Sequence, residues 1–303
     1  MATPTRTDTS IWPAAAAVVS VMLWASTFPV YKYLFRRLDP VAFVGAHYVL
    51  LLVAVFAYLV AIRRRRTLRG RDLRFVVLAG FLGYACLELF FVLGLDRTTA
   101  IASAILIATH PIWGMTFSAL GAHRRPAAYE VAGFAVGMLG VVVFLGASGL
   151  GDARLGDLLS LGAAITFGAY AAMVERLGER VPQGELVATS LASGGLILVL
   201  ASVPAMASQD WSVVRPADWL LVVYTSFGPI LLGFVLWAWA LNRRGMARTA
   251  PFGYLEPLFA TSLAVVLLGE SFATRQLLGG ALVLAGVILA TGWRVEPRTP
   301  PAL

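Results

Sequence analysis

VAFVGAHYVLLLVAVFAYLVAI, the segment from Val41 to Ile62, contains no Lys, Arg, Asp or Glu. A helix needs about 20 such residues to cross the hydrocarbon core of a bilayer. The segment runs directly into four arginines, Arg63–Arg66. A long apolar segment that ends in a basic run is typical of a transmembrane helix entering an aqueous loop.

The whole chain repeats this pattern. Hydrophobic residues make up 59% of it and charged residues only 13%, against about 25% charged in soluble domains. Lipid offers the backbone no hydrogen-bond partners, so the apolar segments must be helices, and the period-two alternation of a membrane barrel is absent. We therefore predict an all-α polytopic membrane protein of ten transmembrane helices. The apolar segments are Ala14–Leu34, Val41–Ile62, Leu73–Leu95, Ala100–Gly121, Val131–Ala147, Leu155–Val174, Leu186–Ala207, Trp219–Leu241, Thr249–Leu268 and Leu277–Trp293.

The basic residues predict the orientation. The net charge of +8 could suggest nucleic acid, but most Lys and Arg residues fall in the N-terminus and in every second loop, with the densest group at Arg63–Arg74. This is the positive-inside pattern of a membrane protein. We expect a multi-pass protein of the bacterial cytoplasmic (inner) membrane with both termini in the cytoplasm, and no nucleic-acid partner. The single cysteine, Cys86, excludes an intrachain disulfide, and no Cys/His spacing suggests a metal site or a cofactor.

The two halves of the chain match at an offset of 146 residues, which aligns Pro111 with Pro257 and Gly140 with Gly286. Five crossings per half is an odd number, so the second copy must enter the membrane upside down. Inverted repeats of this kind are common in secondary transporters. The predicted units are residues 1–150, a first five-helix repeat, and residues 151–303, a second, inverted one.

Several short motifs carry a family resemblance. They are WASTF at 24–28, LDRTTA at 95–100, EPLFA at 256–260 and LGE at 268–270. In this order and spacing, the chain resembles the EamA family of the drug/metabolite transporter superfamily over nearly its whole length. The resemblance implies export of small metabolites, often amino acids or related compounds, or of toxic small molecules.

Three ionisable residues are predicted at membrane depth: Glu88, His110 and Glu256. Such residues cost about 3 kcal/mol or more to insert and are usually functional. His110 and Glu256 are equivalent in the repeat, and each directly precedes a proline, which removes a helical hydrogen bond to the carbonyl four residues earlier. We expect these three residues to bind substrate or to relay protons. The alternative is that Glu88 and His110 pair with each other and only fix the packing of their helices.

Two further ionisable residues and six aromatic residues are candidates for substrate binding. Lys32 and His47 lie near the predicted external ends of the first two helices, where they could attract an anion; alternatively, they are a snorkelling lysine and a hydrogen-bonded histidine. Aromatic residues could line a cavity or simply pack. Those considered for substrate binding are Trp24, Tyr84, Trp113, Tyr170, Trp237 and Tyr254, and the hinge candidates are Pro29, Pro111, Pro229 and Pro257.

The function predicted is a transporter that works by alternating access as a monomer, with a small-molecule substrate and protons as a further partner. The alternatives are a lipid flippase and a membrane sensor. An intramembrane enzyme is disfavoured, because the one serine-hydrolase-like sequence, Gly146–Gly149, falls in a predicted external loop with no histidine placed to activate Ser148.

Overall fold

A computed structural model describes residues 11–63, 67–121, 123, 125–146, 152–177, 181–244, 249, 252–271 and 273–291. Within these ranges the protein is helical and contains no strand. Eight helices are long and apolar enough to cross a membrane, and two shorter apolar helices, Glu256–Leu268 and Thr274–Ala290, follow them. The all-helical membrane class predicted from the sequence is therefore confirmed. The boundary predicted at residue 150 lies outside the described ranges.

In its described residues, the first half contains seven α-helical segments and one π-helical turn. They are α1 (Trp12–Leu34), α2 (Pro40–Ala61), α3 (Gly70–Gly80), the π turn Phe81–Cys86, α4 (Leu87–Arg97), α5 (Ala100–Ile107), α6 (His110–Gly121) and α7 (Ala128–Leu145). The second half has the same kinds of element. They are α8 (Asp152–Leu177), α9 (Gln183–Ser208), a 3₁₀ turn (Trp211–Val213), α10 (Pro216–Thr225), the π turn Ser226–Gly233, α11 (Phe234–Arg244), α12 (Glu256–Leu268) and α13 (Thr274–Thr291).

Helix starts follow from local sequence. Asp39 precedes Pro40, and its carboxylate accepts hydrogen bonds from the amides of Val41 and Ala42, both at 2.9 Å. Proline is favoured in the first helical turn because its missing N–H has no partner there anyway. Thr99 caps α5 in the same way, with its hydroxyl accepting from the amide of Ala102 at 3.0 Å.

Two membrane segments are interrupted by a short turn. The helix between Ala100 and Gly121 breaks into a turn at Ala108 and Thr109, and the second break falls at Tyr254 and Leu255. Each break is followed by a proline in the next helical turn, Pro111 or Pro257. A proline ring clashes with the carbonyl four residues earlier and donates no hydrogen bond, so the backbone opens just before it.

Helices α7 and α13 pack side by side and antiparallel through glycine. Three glycines of α7 face α13. A Cβ atom added to each would contact or approach one residue of α13, with the pairs Gly133–Ala290, Gly137–Gly286 and Gly140–Val283. The absence of side chains lets the two backbones approach closely, as small residues do in membrane helix pairs.

The lipid-facing surface is apolar. Val53, Leu220 and Val266 are 69%, 71% and 78% exposed, and many other large apolar side chains are exposed along the helices. Soluble proteins rarely carry apolar surface on this scale, whereas a bilayer solvates it. The interior core is centred on aromatic side chains of α1, α2 and α4, including Tyr31, which packs against Phe43 and Phe91 at ring distances of 4.7 and 5.5 Å.

Candidate functional site

A cavity of about 390 Å³ lies between the two halves of the chain. Its walls come from α1 and α4, from both helix breaks, and from the π turn and α11 of the second half. Most of the lining is apolar or aromatic, with few polar groups. This is the usual character of a small-molecule site.

The two helix breaks deliver His110 and Glu256 to this cavity. Each is the first residue of its helix, α6 or α12, so each side chain sits beside a helix interruption rather than within a continuous helix. Among the described residues, no group hydrogen-bonds to the Glu256 carboxylate or forms an ion pair with it. The His110 ring lies against Phe167, with 4.6 Å between ring centroids. Ile107 and Gly253, the residues four positions before Pro111 and Pro257, line the cavity as well.

Glu88 reaches the cavity from the first turn of α4, directly after the π turn. The side chain is only 9% exposed, and its Oε2 atom is buried without a hydrogen-bond partner among the described residues. The hydroxyl of Tyr48, which is fully buried, interacts electrostatically with this carboxyl group. No hydrogen bond or ion pair joins Glu88 to His110 in the described part of the chain, so the geometry gives no support to the packing pair considered above.

Trp24 connects the two halves at the cavity wall. Its indole N–H donates to the carbonyl of Pro229 at 2.9 Å, a group in the π turn. Its ring packs against Phe234 and Trp237 at 5.2 and 5.3 Å. Tyr254, at the second helix break, also lines the cavity. Three of the aromatic candidates, Trp24, Trp237 and Tyr254, thus converge with the ionisable residues.

The remaining aromatic candidates lie elsewhere. Tyr84 and Tyr170 are buried together between α8 and the first π turn, with hydroxyl oxygens 3.3 Å apart. Trp113 donates from its indole to the Thr109 hydroxyl at 3.2 Å and packs edge-on against Phe134. None of these three lines the cavity.

His47 and Lys32 also lie outside the cavity. His47 is fully buried between α2 and the second π turn, where its Nδ1 lies 3.1 Å from the hydroxyl oxygen of Thr225. The ammonium of Lys32 donates to the carbonyls of Leu95 and Asp96 at 2.6 and 3.0 Å, at the end of α4. Lys32 lines a separate pocket together with Asp96 and Glu270.

The hinge candidates fall into two groups. Pro111, Pro229 and Pro257 line the cavity, the first and third just after the helix breaks and Pro229 within the π turn Ser226–Gly233. Pro29 is buried inside α1, which continues through it to Leu34.

Sequence reasoning missed a set of aromatic side chains that line the cavity. They are Phe28, Tyr31, Phe91, Phe167 and Phe234. Part of the signal was present, because Trp24, Phe28 and Tyr31 recur at the spacing of one helix face. That spacing could have been found in the sequence alone. The sequence gives no comparable signal that Phe167 of α8 and Phe234 of α11 line the cavity.

The described residues contain no group of three His, Cys, Asp or Glu side chains that could hold a metal ion. Ser148 lies outside the described ranges.

Nearly the whole chain is similar to known proteins. The EamA-like transporter family matches twice, at residues 11–146 and at residues 154–292. A "Probable terminal-alkyne amino-acid exporter" of Streptantibioticus cattleyicolor is 30% identical over 300 residues, covering 96% of this chain and 97% of the relative. A "Probable amino-acid metabolite efflux pump" of Salmonella typhimurium is 26% identical over 290 residues, covering 92% of this chain and 95% of the relative.

A solved crystal structure aligns with a TM-score of 0.62 at 21% identity, covering 92% of this chain and 97% of that chain, which shows a shared fold. The two family matches and the similar transporters confirm the family resemblance predicted from the short motifs. With paired family matches over nearly all of its length and transporters among its relatives, the chain belongs to the EamA-like transporter family.

Proposed function

We propose that this transporter exports amino acids or closely related small metabolites through the cavity that holds Glu88, His110 and Glu256. The observation that carries the proposal is that two broken helices, one from each half, both start again at an ionisable residue facing the same cavity. Broken helices near the bilayer midplane form the substrate sites of many inverted-repeat transporters. The names of the two relatives support export and an amino-acid-like substrate.

The proposed architecture is ten crossings in two inverted repeats. Its support is a set of matching boundaries: α6 and α12 begin at residues 110 and 256, and α7 and α13 span 128–145 and 274–291, at the same offset of 146 residues. The π turns at 81–86 and 226–233 fall at nearly the same offset. Helices α7 and α13, equivalent in the two halves, pack antiparallel, as a two-fold axis in the membrane plane requires. We assign residues 1–150 and 151–303 to the two repeats.

The proposed mechanism is alternating access by a monomer in the bacterial cytoplasmic (inner) membrane, with both termini in the cytoplasm. Rocking of the two halves would expose the cavity to one side at a time, with Pro111, Pro229 and Pro257 as the positions where the helices flex. His110 and the two carboxylates are the groups that could couple transport to protons. A flippase or a sensor is less well supported, because the polar groups converge on an interior cavity and the two relatives described above are named as an exporter and an efflux pump.

The test is flux from proteoliposomes. Vesicles are preloaded with a panel of labelled amino acids and related metabolites, and efflux is followed with and without a pH gradient. We expect selective efflux that Glu256→Gln reduces at least tenfold, about 1.4 kcal/mol of lost interaction. Asp210→Asn is the matched control, because Asp210 is exposed and, among the described residues, its carboxylate accepts hydrogen bonds from Ser212 alone.

Selective flux that is unchanged in Glu256→Gln would remove this carboxylate from the pathway. Absence of flux for every compound, with folded protein, would overturn the proposed transport of these metabolites. Acceleration by the gradient would favour proton coupling over facilitated diffusion.

A further inference from the structure

The ionisable side chains that line the cavity include two carboxyl groups, those of Glu88 and Glu256. The others are His110, Tyr31 and Tyr254, and none of the described lining residues is Lys or Arg. Lys32, the cation considered as a binding residue, donates from its ammonium to the carbonyls of Leu95 and Asp96 and lines a different pocket. The described lining therefore offers no permanently charged side chain to a carboxylate of the substrate, and His110 is the group there that a proton could make cationic.

Several hydrogen-bond donors that could hold an anion are already engaged or are missing. Tyr31, His110 and Tyr254 also line the cavity and can donate, but none of them carries a permanent positive charge. The indole N–H of Trp24 is already bonded to the Pro229 carbonyl at 2.9 Å. The hydroxyl of Thr27 donates to the carbonyl of Trp24 at 2.7 Å. Pro111 and Pro257 occupy the second positions of α6 and α12, so each helix start facing the cavity lacks one of the N–H groups that bind anions elsewhere.

The two carboxyl groups of the cavity, by contrast, have hydrogen-bond acceptor atoms that no described residue uses. Glu88 is more than nine-tenths buried with Oε2 unpartnered, and the Glu256 carboxylate has no hydrogen-bond partner among the described residues. A buried carboxylate that lacks a charged partner is costly, and a cationic ligand between these two groups would offset that cost. Aromatic faces favour a cation too, and the rings of Trp24, Phe28 and Phe234 are part of the wall.

We propose that the cavity recognises its substrate by a protonated amine held between Glu88, Glu256 and the aromatic wall, with an apolar remainder and no need for a carboxylate. This inference rests on the proposed function, since it names the recognised group at the same site. It predicts that decarboxylated amines are accepted as well as the parent amino acids. Compounds in which the amine is neutralised or absent are rejected.

The test uses two matched series, one built on phenylalanine and one on leucine. Each contains the amino acid, its decarboxylated amine (phenethylamine or isoamylamine), its N-acetyl derivative and its deaminated acid (3-phenylpropionate or 4-methylpentanoate). Binding to the full chain purified in detergent is measured by calorimetry. In at least one series we expect the amine to bind within threefold of the amino acid, and the N-acetyl and deaminated compounds to bind at least tenfold more weakly.

Variants identify the responsible groups. Glu256→Gln and Glu88→Gln are expected to reduce the preference for the amine over the N-acetyl compound by at least tenfold. Glu256→Asp, which keeps the charge, should retain most of the preference, and Asp210→Asn should leave it unchanged. An effect of Glu256→Gln with retention in Glu256→Asp separates charge recognition from a folding defect.

The outcomes distinguish this inference from the function it rests on. Equal or tighter binding of the N-acetyl or deaminated compounds, together with efflux of amino acids from vesicles, would overturn amine recognition and leave transport standing. Binding of no compound from either series would overturn the inference as well. Absence of all flux in the vesicle assay would overturn the proposed function itself.

Discussion

Gly286 in α13 is a position where a single added methyl group should disrupt the packing of α7 against α13. A Cβ atom built there would lie 2.5 Å from the Cα of Gly137 and 2.8 Å from the carbonyl oxygen of Gly133. Carbon atoms pack best at about 3.5–4.0 Å, so α7 and α13 would have to separate locally by roughly 1 Å. Both obstacles are backbone atoms, which no change of rotamer can move aside.

Gly286→Ala should therefore destabilise the protein. Overpacking of this kind costs about 1–3 kcal/mol, while replacing glycine by alanine within a helix gains about 1 kcal/mol. Gly280→Ala is the matched control on the same helix, because its Cβ would meet only the Ile105 side chain at 3.4 Å or more, an ordinary contact. The propensity gain is common to both variants, so the difference in free energy of unfolding between them should be about 1–3 kcal/mol.

The assay is equilibrium unfolding of both variants and the parent protein in mixed micelles of mild detergent and sodium dodecyl sulfate, followed by circular dichroism. We expect the midpoint for Gly286→Ala to fall below that of Gly280→Ala, which should equal or exceed the parent. A Gly286→Ala variant as stable as Gly280→Ala would mean that α7 and α13 do not approach through these glycines.

Three further substitutions test other contacts. Glu185 is 2% exposed and accepts hydrogen bonds from the amides of Thr67 and Leu68. Glu185→Ala should lower the free energy of unfolding by about 1–3 kcal/mol, because these amides would be left without a partner. An unchanged free energy of unfolding would refute this. Glu270 caps α5, because its carboxylate accepts hydrogen bonds from the amides of Ala100 and Ile101 at 2.8 and 3.0 Å. Glu270→Ala should lower the free energy of unfolding by about 1 kcal/mol in the same assay. A stabilised variant would contradict the capping role. Trp24→Phe keeps an aromatic ring and loses the bond to the π turn, which should slow efflux about two- to tenfold without loss of folded protein; full efflux would make that bond incidental.

The helical membrane class was predictable because it depends on composition and segment length alone. A backbone in lipid has few choices, and segments such as Val41–Ile62 leave no other reading. The helix breaks were partly predictable as well. The prolines at 111 and 257 identify them, and the repeat puts His110 and Glu256 at equivalent points.

The cavity walls were less accessible to sequence reasoning. Tyr84 and Trp24 are both aromatic residues in the middle of apolar segments, yet Trp24 faces the cavity and Tyr84 packs against Tyr170. Which side of a helix faces a cavity depends on how its neighbours are arranged, and a helix that is apolar all round gives no amphipathic stripe to reveal it. The sequence likewise does not show which groups His47 and Lys32 contact. Only the structure shows that His47 lies beside Thr225 and that Lys32 bonds to the end of α4.

The central claim is that substrate passes through the cavity between the two halves, and Thr27 allows it to be tested directly. Thr27 lines the cavity, and a single native thiol, Cys86, can be removed by Cys86→Ala. In that background, Thr27→Cys is reconstituted in proteoliposomes and treated with a membrane-impermeant thiol reagent during amino-acid efflux. We expect the reagent to block efflux and substrate to slow its reaction with the introduced thiol. Full efflux after complete modification of that thiol would contradict a transport pathway through this cavity.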